Sequence, residues 1–184
     1  MTKILLALAL VALGLVLIQR LAFGFMAQTP GDYADAAPPF DLRQALNGPL
    51  TASGVIYGPT GRVAARFTAE MRGTWDAEGG TLAESFRYDS GRTQERAWRI
   101  VPGAGGRFTA TAADVAGTGA GVVSGATVQL RYRLRLPEAA GGWEVDVTDW
   151  LYRGADGVIV NRAQFRRFGI LVGELVGSIR PVGE

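Results

Sequence analysis

The chain has 184 residues, of which 19 are lysine or arginine and 17 are aspartate or glutamate, and it contains neither histidine nor cysteine. The absence of histidine and cysteine excludes imidazole and thiolate catalysis, disulfides and the usual zinc ligands. Lys3 is the only lysine, so a Schiff base in the folded domain is excluded as well. We therefore predict no catalytic residues, no cofactor and no metal. Lys3 and Arg20 account for the net charge of +2, and the balanced remainder argues against nucleic-acid binding, which needs a positive surface.

The first predicted element is one N-terminal hydrophobic helix. Lys3 precedes an uninterrupted apolar run from Ile4 to Ile18, which is the pattern of a secretory signal. If the run is not cleaved off, residues 4–27 are long enough to span a membrane. We therefore predict that residues 1–27 are a signal peptide or membrane anchor, and that the domain is exported to the periplasmic side of the cell envelope, tied to the inner membrane where the helix is retained. The alternative is a buried helix of a cytosolic protein.

Residues 28–39 are predicted to form a linker. They are rich in proline, glycine, alanine and aspartate and show no hydrophobic period, as is typical of irregular connections. Phe40 to Asn47 fit one short helical turn. The folded domain is predicted to cover residues 40–184.

From residue 50 onward the sequence predicts about ten β-strands. The clearest is 127–136, where hydrophobic residues at the even positions alternate with polar residues at the odd ones, the period expected of a sheet with one buried face. Turn signals containing glycine separate the segments. The predicted strands are 50–58, 62–73, 80–88, 92–101, 107–112, 118–124, 127–136, 142–153, 158–168 and 169–180.

Short connections between consecutive strands predict an antiparallel meander. A meander of about 8–10 strands tends to curl and close, because closure removes the exposed edges. We therefore predict an all-β fold, a lipocalin-like barrel or half-barrel, with a two-sheet sandwich as the alternative. An outer-membrane barrel fits less well, because strand 127–136 carries three arginines on its polar face.

The turn at residues 89–91 fixes the register of a first polar pair. Glu84 is expected opposite Arg96, and the same register sets Leu82 opposite Trp98. Both pairs fall on the apolar side of their strands. We expect the Glu84 carboxylate and the Arg96 guanidinium to satisfy each other by a bidentate contact.

The turn at residues 155–157 fixes the register of a second group of cross-strand neighbours. It places Asp149 on the apolar face, opposite Ala163 and diagonal to Asn161. Trp150 falls on the other face opposite Arg162, where a stacking contact is ordinary surface chemistry.

Polar residues on an apolar face indicate a polar cluster inside the barrel. One interpretation is a ligand-binding site in which the cluster orients the head group of an amphipathic ligand. Another is that the residues are internal pairs that set strand register at some cost in stability. A wrong register, which turns these groups outward, and acid–base chemistry by Glu84 and Asp149 are further alternatives. The candidate ligand-binding residues are Glu84, Arg96, Trp98, Asp149 and Asn161.

An ordered set of motifs carries a family resemblance. It includes Pro39-Phe40-Asp41-Leu42, Leu82-x-Glu84-x-Phe86, Arg96-x-Trp98, Ala113-Asp114-Val115-x-Gly117, Asp149-Trp150-x-Tyr152 and Asn161-Arg162. Over about residues 38 to 180 the chain resembles the bacterial envelope family known as domain of unknown function 3833. The resemblance implies an envelope protein, typically a lipoprotein, often encoded beside enzymes similar to cyclopropane-fatty-acid synthases and flavin oxidoreductases. It supplies no catalytic residues, and this chain lacks the cysteine to which a lipid is attached.

Together these observations predict a binding module rather than an enzyme. The expected ligand is an acyl chain or other amphipathic lipid, and the module is expected to be an accessory to membrane fatty-acid modification. The alternative is a packed barrel that serves as a scaffold for an envelope enzyme, and a carboxylate-dependent lipid enzyme is a third reading. A ligand pocket of roughly 300 Å³ or more separates the first reading from the second, because a packed core has none.

Overall fold

The computed structural model of the protein describes residues 2–183, apart from the side chains of residues 17, 19–22 and 139. The outermost residues of the predicted segments 1–27 and 40–184 lie outside this range. The chain forms two compact units, Met1–Asp32 and Tyr33–Glu184.

The first unit is mostly helical. Helix α1 spans Thr2–Ala22, and short 3₁₀ turns follow at Phe25–Ala27 and Pro30–Tyr33. Across the residues that the structure describes, no helix combines the length and the apolar character needed to cross a membrane. The predicted anchor over residues 4–27 includes side chains outside the described part of the chain, so it stays an expectation.

The second unit contains a closed barrel of ten antiparallel strands. Each strand pairs with its neighbours in sequence, and β1 pairs with β10 to close the ring. The strands are β1 (Gly48–Tyr57), β2 (Val63–Trp75), β3 (Gly80–Tyr88), β4 (Thr93–Pro102), β5 (Arg107–Thr111), β6 (Gly119–Ser124), β7 (Thr127–Arg135), β8 (Glu144–Arg153), β9 (Ile159–Arg167) and β10 (Ile170–Pro181). All ten predicted strands are confirmed, with ends shifted by at most two residues, and the all-β fold is a closed barrel rather than a sandwich.

Alternation along each strand decides which side chains enter the barrel. On β7, Val128 and Leu134 are buried in the interior, whereas Arg131, Arg133 and Arg135 point outward and are exposed. The predicted period of two is therefore confirmed from residue 130 onward, whereas Thr127 and Gln129, on the outer face of the first part of β7, are also buried.

One end of the barrel is closed by a short helix, α2 (Leu42–Ala45). Asp41 caps α2 by accepting hydrogen bonds from two backbone N–H groups of its first turn, at 2.8 and 3.0 Å. Leu46 follows α2, and its carbonyl accepts a hydrogen bond of 3.0 Å from the Trp75 indole. Phe40 and Leu46 are buried in the main core cluster. We call this the capped end.

At the other end, which we call the open end, turns join the strands. Phe168 and Gly169 form the turn between β9 and β10. Phe168 has a φ of 51°, a conformation that bulky residues rarely adopt, and its side chain is 87% exposed.

An irregular segment, residues 112–118, completes the wall near the open end, because β5 and β6 are short. Val115 forms an isolated bridge with Leu134 of β7. The Arg135 backbone N–H donates a 2.8 Å hydrogen bond to the Asp114 carbonyl. The segment thus takes the place of a strand beside the last part of β7.

The outer face of β8 differs from expectation at one position. Trp150 lies opposite Arg162, as predicted, but it is fully buried. Tyr33, which lies within the predicted linker 28–39, packs edge-on against Trp150 and Tyr152, with ring centroids 5.4 and 5.8 Å apart. The prediction of ordinary surface chemistry at Trp150 is therefore wrong, because Tyr33 packs over it.

Candidate functional site

The barrel encloses a cavity of about 630 Å³, which is within the range of small-molecule sites. Leu42 and Leu46 bound it at the capped end. At the open end its lining includes the exposed residues Pro59, Arg92 and Trp143, so the cavity reaches solvent there. The alternative of a fully packed barrel is therefore wrong.

Glu84 lies near the middle of β3 and faces this cavity. It is opposite Arg96 on β4, and Leu82 is opposite Trp98, so the predicted register is confirmed. Glu84 is only 8% exposed. Among the described residues, no group forms a hydrogen bond with its buried Oε2 atom.

Arg96 binds Asp114 rather than Glu84. Its Nε donates to Asp114 Oδ2 at 2.9 Å, and its Nη2 donates to the same oxygen. The predicted bidentate contact between Arg96 and Glu84 is therefore wrong. The side chain of Asp114 is 27% exposed, whereas Glu84 is more deeply buried, so an ion pair with Asp114 costs less desolvation than one with Glu84.

Asp149 lies on the inner face of β8, opposite Ala163 on β9. The Asn161 Nδ2 donates hydrogen bonds to Asp149 Oδ1 at 2.5 Å and to the Trp150 carbonyl at 3.1 Å. The predicted diagonal neighbours are therefore in contact, and they add a second polar pair to the cavity.

Two aromatic side chains lie beside these polar groups. Trp98 and Tyr132 pack edge to face, with centroids 5.1 Å apart and ring planes at 82°, and the Arg96 guanidinium carbon is 5.6 Å from the Trp98 centroid. We use the name polar cluster for the cavity-lining residues Glu84, Arg96, Asp114, Tyr132, Asp149 and Asn161. All five predicted site residues line the cavity; their role in binding stays a prediction.

Burial raises the pKa of the Glu84 carboxyl to about 7. The positive charge of Arg96 and the nearby Trp98 side chain oppose this rise, whereas the negative charges of Asp149 and Asp114 add to it. Near neutral pH the Glu84 carboxyl is therefore divided between its protonated and ionised forms.

Burial also raises the pKa of the Asp149 carboxyl to about 7, although the hydrogen bond from Asn161 and the charge of Arg96 lower it. Because Asp149 also raises the pKa of Glu84, protons leave the pair in coupled steps. Burial raises the pKa of Tyr132 well above its ordinary value, so its phenol stays neutral.

The arrangement can hold a polar group inside an otherwise apolar space. It offers carboxyl oxygens, an amide, a phenol and one guanidinium, all within a single cavity. Within the described part of the chain, no group of three or more acidic side chains is placed to hold a metal ion.

Sequence reasoning missed Asp114 and Tyr132 as site residues. Tyr132 belongs to the inward-facing set of β7, but its phenol was counted with the hydrophobic residues. Asp114 lies in an irregular segment, so hairpin register could not place its side chain. Its presence in the motif Ala113-Asp114-Val115-x-Gly117 was the available signal.

The fold resembles barrels of known structure. The S-type phycobiliprotein lyase CPES from Guillardia theta is 6% identical, with a TM-score of 0.54, and the match covers 77% of this chain and 91% of that chain. The redesigned β-barrel mFAP1, solved bound to DFHBI, is 9% identical, with a TM-score of 0.39 and coverage of 75% and 96%. At 6% identity the likeness to the lyase is one of fold. No curated protein matches this chain significantly in sequence.

A family model matches residues 20–180, which include nearly the whole barrel. The resemblance recognised from the motifs is therefore confirmed, whereas the envelope location that it implies stays an expectation. On this match, the chain belongs to the family described as Protein of unknown function (DUF3833).

Proposed function

We propose that this protein is a binding module that takes an acyl chain or another amphipathic lipid into its barrel. The observation that carries the proposal is the cavity of about 630 Å³, in which apolar walls surround the polar cluster. Apolar walls favour a hydrocarbon chain, while buried polar groups orient a head group. A ligand with both parts fits this cavity better than a purely polar or purely apolar one.

We further propose that the module works on the periplasmic side of the cell envelope, as an accessory to an enzyme of membrane fatty-acid modification. The apolar run from Ile4 to Ile18 after Lys3 supports export. The accessory role is supported by the family resemblance, because members are often encoded beside enzymes similar to cyclopropane-fatty-acid synthases. A reporter active only in the cytoplasm, fused after Glu184, should be silent. Strong reporter activity contradicts the location.

Native mass spectrometry of the full chain, purified from its own host, tests the binding function. We expect a reproducible adduct that lipid extraction identifies as an amphipathic lipid. A clean apo mass, with no lipid in the extract, contradicts the proposal.

A matched pair of variants shows whether the lipid occupies the cavity. Ala163 lines the cavity and is buried, whereas Ala97 on β4 is exposed. The A163L variant is expected to carry less lipid than wild type, and A97L the same amount. Thermal unfolding of both variants shows whether the barrel remains folded.

A second candidate, a carboxylate-dependent enzyme acting on lipid, is favoured by one observation. Glu84 and Asp149 both have a pKa of about 7, and perturbed carboxyls in a cavity are typical of acid–base sites. Incubation of the protein with the co-purified lipid, followed by mass analysis of that lipid, separates the two functions. Turnover that E84Q abolishes supports the enzyme, and an unchanged lipid supports the binding module.

A further inference from the structure

The polar cluster contains buried acceptor atoms that lack donors. Among the described residues, no group forms a hydrogen bond with Glu84 Oε2 or with Asp114 Oδ1, although both atoms are shielded from solvent. Both residues line the cavity. A buried oxygen without a hydrogen bond destabilises the folded protein. A ligand that donates a hydrogen bond to such an oxygen therefore gains more binding free energy here than it would from the same bond in water.

The charges around these atoms are mostly acidic. Glu84, Asp114 and Asp149 line the cavity together with three arginines. Arg92 and Arg135 are exposed at the mouth, whereas Arg96 lies inside and is already paired with Asp114. An anionic head group beside these atoms lies close to carboxyl groups, and the positive charge of Arg96 is already neutralised by Asp114. The free-energy cost of desolvating this head group is then not offset by an unpaired cation at the polar cluster.

We propose that the polar cluster selects a ligand whose polar group donates hydrogen bonds and carries no negative charge, such as an amine or alcohol on an alkyl chain. This inference rests on the proposed binding function and specifies the class of its ligand. A fatty-acid carboxylate or a phosphate is the class that the cluster disfavours.

Three probes of equal chain length test the inference: decylamine, decanol and decanoic acid. Their affinities for the full chain are measured by calorimetry at pH 7, below their aggregation concentrations. We expect decylamine and decanol to bind at least tenfold more tightly than decanoic acid. Equal or tighter binding of decanoic acid overturns the inference while leaving the binding function standing, whereas binding of none of the three contradicts both.

A variant locates the selectivity. Replacing Glu84 by glutamine removes a carboxyl that is partly ionised at pH 7 and puts a neutral amide in its place, so the E84Q variant should lower the preference for decylamine over decanoic acid at least fivefold. Glu70 lies on the outer face of β2 and is exposed, and E70Q should leave the preference unchanged. An unchanged preference in a folded E84Q variant contradicts the assignment to this cluster.

A second, independent observation concerns the open end. Four large hydrophobic residues are exposed there: Val63, Trp143, Phe168 and Ile170. The Arg167 guanidinium carbon lies 3.9 Å from the Trp143 centroid and 5.1 Å from the Phe168 centroid. Trp143 also lines the cavity, so this patch adjoins the cavity mouth. We call these four residues and Arg167 the rim.

The charge around the rim is positive. Within residues 2–183, Glu144 and Asp89 form ion pairs with arginines of this end. Glu138 is exposed in the loop before Trp143, and its single charge is outnumbered by Arg62, Arg92 and Arg167, which take part in none of the ion pairs of the described residues. Exposed aromatic and aliphatic side chains interleaved with arginines are typical of surfaces that enter the interface of an anionic membrane.

We infer that the rim docks on an anionic lipid bilayer, with Phe168 and Ile170 entering the interface, so that the cavity mouth faces the lipid. The backbone strain at Phe168, at a φ of 51°, supports a role outside folding, because an exposed phenylalanine gains no packing there in return.

Quenching of Trp143 fluorescence by brominated lipid tests this surface directly. The full chain is added to vesicles of phosphatidylcholine, with and without phosphatidylglycerol. Comparison with the W143F variant isolates the signal from this tryptophan. We expect quenching with the anionic vesicles that weakens as salt increases, and at least a threefold loss in a variant carrying F168S and I170S.

The control is V101S, because Val101 is an exposed hydrophobic residue near the capped end, and it should be quenched like wild type. Quenching that is absent, insensitive to salt, or unaffected by the rim substitutions overturns the docking surface. Binding of vesicles through α1 alone does not predict a loss of quenching in the variant carrying F168S and I170S.

Discussion

The two ends of the barrel use similar residues in opposite ways. At the capped end, Phe40 and Leu46 are 5% and 3% exposed, and they flank α2 in the chain. At the open end, Phe168 and Ile170 are 87% and 67% exposed and lie beside the cavity mouth. Hydrophobic residues at the capped end therefore stabilise the fold, whereas those at the open end contribute little to it and are available for contact with lipid.

The largest expected effect comes from truncating one residue at each end. The L46A variant should lose about 4 kcal/mol of unfolding free energy, because a buried leucine leaves a cavity that its neighbours fill only partly. The matched I170A variant should lose no more than about 0.5 kcal/mol. Urea unfolding of the full chain measures both, and similar losses in the two variants contradict the difference between the ends.

Removing the interior cation is expected to have the next largest effect. The R96M variant should lose about 3 kcal/mol at pH 7, because Asp114 and the neighbouring carboxyls lose the charge that compensates them. Arg92 at the open end is exposed and lies over the Tyr88 ring, with its guanidinium carbon 4.5 Å from the centroid. The R92M variant should therefore lose less than about 1 kcal/mol, and an R96M loss of that size means that Arg96 is not needed for stability.

The pH dependence of the E84Q variant sharpens the contrast between interior and surface. Unfolded Glu84 releases its proton near pH 4.5, and the folded protein retains it up to about pH 7. Over this window the folded state binds more protons, so wild-type stability falls as pH rises. Glutamine does not titrate, so E84Q should match wild type near pH 4.5 and exceed it by about 3 kcal/mol at pH 8.

Urea unfolding of E84Q at several pH values measures this effect. Glu138 at the open end is exposed, and the E138Q variant should follow wild type at every pH. If the stability difference between E84Q and wild type is the same at pH 4.5 and pH 8, the pKa of Glu84 is not raised in the folded protein.

The smallest expected effect is a gain. Asparagine tolerates positive φ better than phenylalanine does, and Phe168 is largely exposed. The F168N variant should therefore raise the unfolding free energy by about 1 kcal/mol while weakening the quenching of Trp143 on anionic vesicles. A loss of stability in F168N means that the phenylalanine has a structural role at this turn.

Most of the barrel could be predicted from local patterns. The alternation along β7 and the turns at 89–91 and 155–157 were enough to place Glu84, Arg96 and Asp149 on the inner face, because parity and hairpin register are local properties. Closure also followed from the run of short connections.

The ion pair at Arg96 could not be predicted in the same way. Asp114 reaches the cavity from residues 112–118, where neither strand period nor hairpin register applies. The choice of Arg96 between two carboxylates depends on how deeply each is buried, which only the assembled barrel decides. The burial of Trp150 under Tyr33 is likewise a contact between distant parts of the chain, and a period of two says only which face the tryptophan occupies.

The pairing of β1 with β10 has a consequence for folding. Leu50 and Pro181 are partners in this ladder, so the ring joins the first strand of the barrel to the last. Contacts of such long sequence separation form late and slow folding. During synthesis the barrel cannot close until β10 is available. Until then both β1 and the last strand formed present unpaired edges. A chain truncated before β10 should therefore aggregate rather than fold into a smaller barrel.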